Sequence, residues 1–187
     1  FVTRDHAGPG QGHFDDDGYR SLSVDCKYLD MIHIDPWKKY PSFKEGLEWT
    51  TKMIRYCHNL NNSVVYEVGT EQSIREFTTG ELEDLLINLK VSLTAQEYKK
   101  IKYCVIQSGT ALKENKNTGT YSKKKLSEMV SVVKRHELLS KEHNGDYLST
   151  SLIKEKFNLG LDSINIAPEL GLIETETYLN FIKEKRQ

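Results

Sequence analysis

The sequence has few cysteines, no excess of charge and no long apolar run, and each of these shortages excludes a class of protein. Its three cysteines, Cys26, Cys57 and Cys104, form no Cys-x-x-Cys pair. This argues against a zinc knuckle or a disulfide framework and is typical of a reduced cytoplasmic protein. A net charge of −1 gives no electrostatic basis for a nucleic-acid or membrane-surface partner. No apolar stretch approaches the roughly 20 residues of a membrane span, and no secretory signal is visible.

The chain also lacks an internal repeat and a low-complexity linker. We therefore predict a single domain over residues 1–187, a length that can bury a substantial core. The sequence opens without a methionine on Phe1-Val2-Thr3, a pattern typical of the last turn of a strand that is already under way. We therefore expect this domain to be truncated at its N-terminus.

Short apolar runs alternate with helical stretches along the chain. The runs are partly β-branched, as in a buried parallel sheet, and predict strands at 31–35, 64–68, 103–107, 138–141 and 163–166. The stretches between them predict helices at 43–60, 81–90, 124–135, 150–158 and 174–185. Two capping boxes, Thr78-x-x-Glu81 and Thr94-x-x-Glu97, predict helix starts, and Gly160 is a candidate C-cap. This alternation predicts an α/β fold.

Each predicted strand ends in polar residues. The ends are Asp5-His6, His33-Ile34-Asp35, Glu67 to Glu71, Gln107-Ser108-Gly109, His143-Asn144-Gly145-Asp146 and Asn165. Reactive groups at one end of successive parallel strands are typical of a (β/α)8 enzyme, the TIM barrel. The spacing of about 20 to 40 residues gives six βα units, whereas a full barrel has eight. Either the chain covers the third to the eighth strand of a barrel, or it forms an open α/β sheet.

Two histidines at strand ends, His6 and His143, are the candidate metal ligands. Strand ends converge on a barrel, and imidazoles with carboxylates at such a mouth suit a divalent metal. Asp5 either orients a ligand or moves a proton beside the metal. Asp35 follows His33 by two residues, so both point to one face of the strand and Asp35 reaches the mouth. The remaining histidines are interpreted as surface or helix residues: His13, His58 and His136.

Gly145 and Asn165 would follow the last two strands of a barrel. Backbone N–H groups at this place often hold a phosphate, and the alternative is an ordinary turn. The long polar loop 108–121 is either an active-site flap or a mobile loop.

Six motifs, in order, resemble the so-called non-catalytic subunit family of class II D-tagatose-1,6-bisphosphate aldolase, once labelled tagatose-6-phosphate kinase. They are Asp5-His6-x-Gly8-Pro9, Ile32-His33-Ile34-Asp35, Val68-Gly69-Thr70-Glu71, Val105-Ile106-Gln107-x-Gly109, His143-x-x-Asp146-Tyr147 and Ile164-Asn165-Ile166-Ala167-Pro168. The resemblance covers essentially the whole chain and extends, more distantly, to the class II fructose-bisphosphate aldolases. It implies a TIM barrel entered near its third strand, with a zinc ion that polarises a ketose carbonyl. It also implies that Asp5 is the proton shuttle and that His6 and His143 are metal ligands.

Two positions depart from the family pattern. Gln107 stands near the place of a sixth-strand histidine, so the metal site is either remodelled or empty, or Glu67 or Glu71 supplies an oxygen ligand. Arg4 replaces a glycine and either binds a substrate phosphate or carboxylate or pairs with a neighbour. Besides the two metal ligands, the predicted site has catalytic Asp5, Glu71 and Asp35, and substrate-binding Arg4, Gln107, Asn144, Gly145, Asp146 and Asn165.

The resemblance leaves several functions open. The first is an aldolase-like lyase or a metal-dependent epimerase acting on a sugar phosphate such as tagatose 1,6-bisphosphate. The second is a non-catalytic accessory subunit that stabilises a catalytic class II aldolase, and the third is a sugar-phosphate-binding barrel in surface-polysaccharide synthesis. Expected partners are therefore a sugar phosphate, a catalytic aldolase subunit and further copies of the chain in an oligomer.

Overall fold

The main sheet of the protein has six parallel strands in a computed structural model that describes residues 1–12 and 15–185. They are β1 (Thr3–Ala7), β2 (Met31–Ile34), β3 (Val65–Val68), β4 (Ile101–Ile106), β7 (Leu139–Glu142) and β8 (Ser163–Ile164), hydrogen-bonded in that order. A short antiparallel hairpin, β5 (Leu112–Lys113) and β6 (Lys116–Asn117), lies in the loop between β4 and β7. The predicted strands are present with small shifts at their ends, and the α/β fold is confirmed.

The sheet is curled into a half-barrel. Asp5 in β1 and Asn165 directly after β8 lie at opposite edges of the sheet, yet Asn165 Nδ2 is 3.4 Å from Asp5 Oδ2. In a flat sheet these edges would be roughly 24 Å apart, because neighbouring strands lie about 4.8 Å apart. The curvature therefore brings side chains from both edges together on the concave face. This architecture is a partial α/β barrel of six strands.

Seven helices occur among the described residues. They are α1 (Tyr19–Tyr28), α2 (Phe43–Leu60), α3 (Thr79–Ser92), α4 (Ala95–Tyr98), α5 (Lys123–Arg135), α6 (Thr150–Asn158) and α7 (Pro168–Lys185). Both capping boxes are formed, at the starts of α3 and α4, and Gly160 has a positive φ of 97° just after α6. None of the helices described is both long enough and apolar enough to cross a membrane.

Helix α1 and the β5–β6 hairpin are the elements that the sequence did not predict. Helix α1 follows Gly18 without a side-chain cap, and of its apolar side chains only Leu22 and Cys26 are buried. It therefore lacks both a start signal and a continuous apolar stripe. Each hairpin strand has two residues, which is too short for an alternating pattern to be visible. Of the histidines set aside above, His58 lies in α2 and His136 directly follows α5, whereas His13 is outside the described residues.

Alternation along the strands separates an apolar face from a polar one. Ile32 and Ile34 of β2 belong to the core that the helices cover, as do Tyr66 and Val68 of β3. The residues between them, His33 and Glu67, point to the concave face, because successive side chains of a strand alternate. Both are buried although they are polar. The concave face therefore carries buried ionisable groups that need partners or a function.

Candidate metal centre

Three imidazoles surround one carboxylate on the concave face. The imidazoles belong to His6 in β1, His33 in β2 and His143 directly after β7, and the carboxylate is that of Asp5. Their candidate ligand atoms all lie within 4.8 Å of one another, and the ring centroids are 4.9 to 5.1 Å apart. The structure thus brings together three of the predicted residues and adds His33.

Each ring has one nitrogen held by an oxygen acceptor outside the cluster. His6 Nδ1 lies 2.6 Å from Asp35 Oδ2, and His33 Nε2 lies 3.0 Å from the Gly69 carbonyl oxygen. His143 Nε2 lies 2.6 Å from Glu67 Oε1. These oxygens accept, so the contacted nitrogens carry the protons.

The other nitrogen of each ring faces Asp5. The Oδ1 atom of Asp5 is 3.3 Å from His33 Nδ1, 3.8 Å from His143 Nδ1 and 3.9 Å from His6 Nε2. Convergent imidazole nitrogens whose opposite nitrogens are hydrogen-bonded to oxygen acceptors are the usual environment of a protein-bound metal. The residues present therefore fit a divalent cation held by three imidazoles, with Asp5 beside it.

An irregular backbone at the end of β1 explains how Asp5 and His6 both reach the cluster. Neighbouring side chains of a regular strand point to opposite faces. His6 has a φ of 47°, and the β1–β2 register shifts between Arg4 and Ala7. This left-handed residue turns the imidazole to the same side as the preceding carboxylate. A positive φ at a residue other than glycine is strained, and such strain is concentrated at functional sites.

The two carboxylates that hold the rings are themselves anchored. Asp35 is fully buried, and it also accepts hydrogen bonds from the Thr70 hydroxyl at 3.1 Å and the Trp37 backbone N–H at 3.2 Å. Glu67 is also fully buried and pairs with Lys141 Nζ at 2.5 Å. Asp35 was predicted as a catalytic residue, and the structure places it as the group that orients His6.

The charges of the cluster perturb one another. Burial alone would raise the pKa of Glu67, but His33, His143 and Lys141 outweigh it and lower the pKa to about 2. Burial would lower the pKa of His33, but the carboxylates of Glu67, Asp5 and Asp35 raise it to about 9. For Asp5, burial is again opposed, and the neighbouring imidazoles hold its pKa well below the usual range. Strongly perturbed groups gathered on one face are typical of a functional site.

Glu71, Asn144 and Asn165 form the rim of the centre. Asn144 follows a metal-ligand candidate, has a positive φ of 59° and donates from Nδ2 to Glu71 Oε2 at 2.5 Å. Asn165 donates to Asp5, as described above. The Glu71 carboxylate is therefore linked to the rim by its hydrogen bond with Asn144. Its other oxygen, Oε1, accepts a hydrogen bond from Ser73 Oγ.

Gln107, which the sequence predicted as a substrate-binding residue, uses its side-chain amide within the protein. It is buried, and its Oε1 accepts from Phe77 N at 2.7 Å. Its Nε2 donates to the carbonyl oxygens of Thr70 and Arg75, both at 2.8 Å. The amide therefore braces the loop that follows β3, and both of its N–H groups are used inside the protein.

Arg4 pairs with a neighbour, which is one of the two roles that the sequence left open. Its Nη1 lies 3.4 Å from Asp25 Oδ2 of α1, on the helix-covered side of β1. The guanidinium of Arg4 is therefore paired with a carboxylate of α1 and is not part of the histidine cluster.

Gly145 and Asp146 lie where a phosphate site was expected, but their polar groups have internal partners. The Gly145 N–H donates to the Asn165 carbonyl oxygen at 2.9 Å. Asp146 is buried, and its Oδ1 accepts from the backbone N–H groups of Ala167 and Glu169, both at 2.9 Å. These N–H groups are therefore occupied by the protein itself.

His33 is the member of the cluster that the sequence interpretation did not include among the candidate ligands. The sequence does contain an indication of its role, because His33 lies between Ile32 and Ile34 in a strand that is predicted to be buried. An imidazole that is buried without a partner costs free energy, so a histidine at such a position needs a partner or a ligand. His33 adds a third imidazole to those of His6 and His143. The third ring of the cluster thus lies on β2.

The role of Gln107 can be tested by stability. We expect Gln107→Glu to lower the free energy of unfolding by about 1–3 kcal/mol, because it puts a carboxylate oxygen against two carbonyl oxygens. Urea denaturation measures this change. The matched control is Asn88→Asp, which alters an exposed amide that donates to the Asp84 carbonyl on α3. An equal effect of both variants would contradict the bracing role of Gln107.

Comparison with known proteins gives the fold but no family assignment. No family model matches the sequence, and no curated protein matches it. A probable tagatose 6 phosphate kinase from Sinorhizobium meliloti 1021 is similar in structure, with a TM-score of 0.73 and 14% identity over 89% of this chain and 47% of that one. The YdjI aldolase from Escherichia coli K12 gives a TM-score of 0.66 and 13% identity over 99% of this chain and 58% of that one.

A third solved structure has the same kind of fold. A putative fructose-1,6-biphosphate aldolase from Coccidioides immitis gives a TM-score of 0.55 and 14% identity over 83% of this chain and 49% of that one. The chain thus spans about half the length of these solved structures. At such identities the similarity shows an aldolase-like fold and nothing more specific.

Proposed function

We propose that this chain carries the metal centre of an aldolase-like carbon–carbon lyase that cleaves a ketose phosphate. The observation that carries the proposal is the arrangement of His6, His33 and His143, whose three inner nitrogens converge on Asp5 Oδ1. The solved structures of similar fold, which are described as aldolases and a sugar-phosphate kinase, support the substrate class.

Zinc is the cation that we propose for this centre. Three imidazoles suit zinc, and catalytic zinc sites commonly have three protein ligands and an open position. When bound, a divalent cation acts as a Lewis acid on the carbonyl oxygen of the ketose. The protein supplies the orientation, because Asp35, the Gly69 carbonyl and Glu67 fix which nitrogen of each ring faces inwards.

Asp5 is the group that we propose to move the proton. Its side chain is 51% exposed, whereas His33 and His143 beside it are buried, so a substrate hydroxyl can reach its carboxylate. Its Oδ1 atom lies 3.3 to 3.9 Å from the inner nitrogens of the three rings, so the carboxylate lies beside the proposed metal. It therefore acts as a base that takes the hydroxyl proton as the carbon–carbon bond breaks, and it returns a proton to the resulting carbanion carbon. Asn165, which donates to Asp5, orients it.

The rim amides give the site its affinity for a polyhydroxylated substrate. Asn144 and Asn165 border the cluster from the loops after β7 and β8, and Glu71 accepts from Asn144. Amide and carboxylate groups of this kind donate to and accept from hydroxyl groups. We propose that these three residues contact the hydroxyls of the ketose near the metal.

Asp5→Asn tests the proposed function. In the zinc-loaded protein, turnover of a ketose phosphate is expected to fall by about 10²- to 10⁴-fold, because the amide cannot accept a proton. Zinc content and the thermal unfolding midpoint are expected to stay near the wild-type values, since the three imidazoles remain. A coupled assay of the released aldehyde and ketone measures turnover, and the matched control is Asp15→Asn, an exposed aspartate near β1.

The outcomes of this assay also separate the other functions. A wild-type protein that binds zinc but releases no cleavage product from any ketose phosphate would contradict the lyase. Activation of a catalytic aldolase by that protein would then identify an accessory subunit. Formation of an isomeric sugar phosphate without cleavage would identify an epimerase.

A further inference from the structure

The loops that follow β7 and β8 meet in a corner beside the metal centre. Gly145 lies two residues after His143, and Asn165 lies against Asp5, so this corner borders the cluster. In α/β barrels, the backbone N–H groups of the last two loops and the start of a nearby helix commonly bind a substrate phosphate. Helix α7, with 18 residues, begins at this corner with Pro168.

In this chain a buried carboxylate of the protein already occupies that position. Asp146 is 2% exposed, and its Oδ1 accepts from the N–H groups of Ala167 and Glu169, both at 2.9 Å, at the start of α7. The Tyr147 N–H donates to Glu169 Oε2 at 2.7 Å. The Gly145 N–H donates to the Asn165 carbonyl oxygen at 2.9 Å. Four donors of the corner are thus paired with oxygens of the protein.

Asp146 is also fixed in place. Its own carbonyl oxygen accepts from Asn117 Nδ2 at 3.0 Å, and the same amide group donates to the Asn144 carbonyl oxygen at 2.8 Å. The β5–β6 hairpin therefore anchors the backbone of this loop, while the two N–H groups of α7 hold the Asp146 carboxylate in the corner. A phosphate entering here would have to take the N–H groups from Asp146 and face its charge and that of Glu169.

Two cationic side chains on the strands of the cluster do not offset this repulsion. Lys141 is paired with Glu67 at 2.5 Å, and Arg4 is paired with Asp25 on the other side of β1. Placing like charges together at a binding surface costs several kcal/mol. A hydroxyl group, in contrast, is neutral and can accept from Asn165 or donate to a rim carboxylate.

We infer that Asp146 is a specificity-determining residue that excludes phosphate from the β7–β8 corner. The end of the substrate that lies there ends in a hydroxyl group. The substrate class is therefore a ketose monophosphate whose phosphate lies at the opposite end, and ketose bisphosphates are excluded. This inference rests on the proposed function for the identity of the substrate, but the exclusion of phosphate can be tested without it.

The first test compares three matched ketoses with the full chain loaded with zinc. These are one bisphosphate and the two monophosphates that it yields by loss of either phosphate. One monophosphate is expected to have a kcat/KM at least about 100-fold above that of the bisphosphate. A bisphosphate that is cleaved as efficiently as the better monophosphate would overturn the inference.

The second test needs no turnover and therefore stands if the proposed function fails. Inorganic phosphate is titrated into isotopically labelled protein, and the backbone amide resonances of Tyr147, Ala167 and Glu169 are followed. The wild-type resonances are expected not to move, and a saturable shift of them would overturn the inference. In Asp146→Ser the freed N–H groups are expected to bind phosphate, with a saturable shift of the same resonances.

Matched variants keep this second test decisive. Ser149→Ala removes the side-chain cap of α6, where Ser149 Oγ accepts from Leu152 N, without touching the corner. This variant is expected to bind no phosphate at these amides. It therefore controls for any general effect of removing a side-chain helix cap. A folded Asp146→Ser protein that gains no phosphate binding would overturn the role of Asp146. If Asp146→Ser does not fold, the phosphate titration of the wild-type protein and the comparison of the three ketoses still test whether phosphate is excluded from the corner.

Discussion

His33→Ala is expected to abolish stoichiometric zinc binding. The change removes one of three imidazoles from the centre of the cluster, where His33 Nδ1 lies 3.3 Å from Asp5 Oδ1. Loss of a group that merely orients a ligand costs about 10- to 100-fold in metal affinity, so loss of a ligand is expected to cost more than about 100-fold. Competition with a chromophoric zinc chelator measures the affinity.

The matched control for this variant is His136→Ala, which removes an imidazole directly after α5, away from the cluster. It is expected to retain wild-type zinc affinity. Zinc affinity that is unchanged in His33→Ala but lost in His6→Ala and His143→Ala would show that two imidazoles suffice. The third-ligand role of His33 would then be wrong.

Glu67→Gln is expected to weaken both the fold and the metal site. Glu67 is fully buried, holds His143 Nε2 at 2.6 Å and neutralises Lys141 at 2.5 Å. An amide leaves the ammonium group of Lys141 buried without a counter-charge, which costs about 3–5 kcal/mol in the free energy of unfolding. Zinc affinity is expected to fall by about 10- to 100-fold, because the His143 ring loses the acceptor that fixes its orientation.

A second substitution separates the two effects of Glu67→Gln. Adding Lys141→Met removes the unpaired charge, so the double variant is expected to regain most of the stability but not the zinc affinity. Urea denaturation and chelator competition measure these quantities. Recovery of zinc affinity together with stability would contradict a direct orienting role of Glu67.

The stabilisation by Glu67 also depends on pH in a defined direction. Its pKa is about 2 in the folded protein and 4.5 ordinarily, so its ionised form favours the folded state. The contribution is fully present above about pH 4.5 and is lost as the pH falls towards 2. The difference in unfolding free energy between wild type and Glu67→Gln is therefore expected to shrink over that interval.

The sequence predicted part of the site correctly where reactive side chains directly follow a recognisable strand. Asp5-His6 and His143 follow short apolar runs, and since the ends of parallel strands converge, their proximity could be predicted without coordinates. The strands and most helices could be predicted for a similar reason, because buried runs and capping boxes such as Thr78-x-x-Glu81 are local signals. Helix α1 and the β5–β6 hairpin lack such signals.

The full set of residues in the site could not be predicted from the sequence, because it depends on how distant segments of the chain are arranged in space. His33 lies inside a strand rather than at its end, and only the curvature of the sheet shows that its ring meets His6 and His143. Gln107 ends its strand like a ligand, yet its amide is used by the loop after β3. Asp146 follows a glycine in a turn, and its capture of two N–H groups of α7 becomes visible only when the β7 and β8 loops are placed side by side.

X-ray absorption at the zinc edge of the zinc-loaded full chain tests the central claim most directly. This measurement reports the kind and number of atoms bound to the metal. The account predicts about one zinc per chain with three imidazole nitrogens and the remaining positions filled by oxygen. A protein that takes up no zinc, or zinc bound through cysteine sulfur or through fewer than three imidazoles, would contradict it.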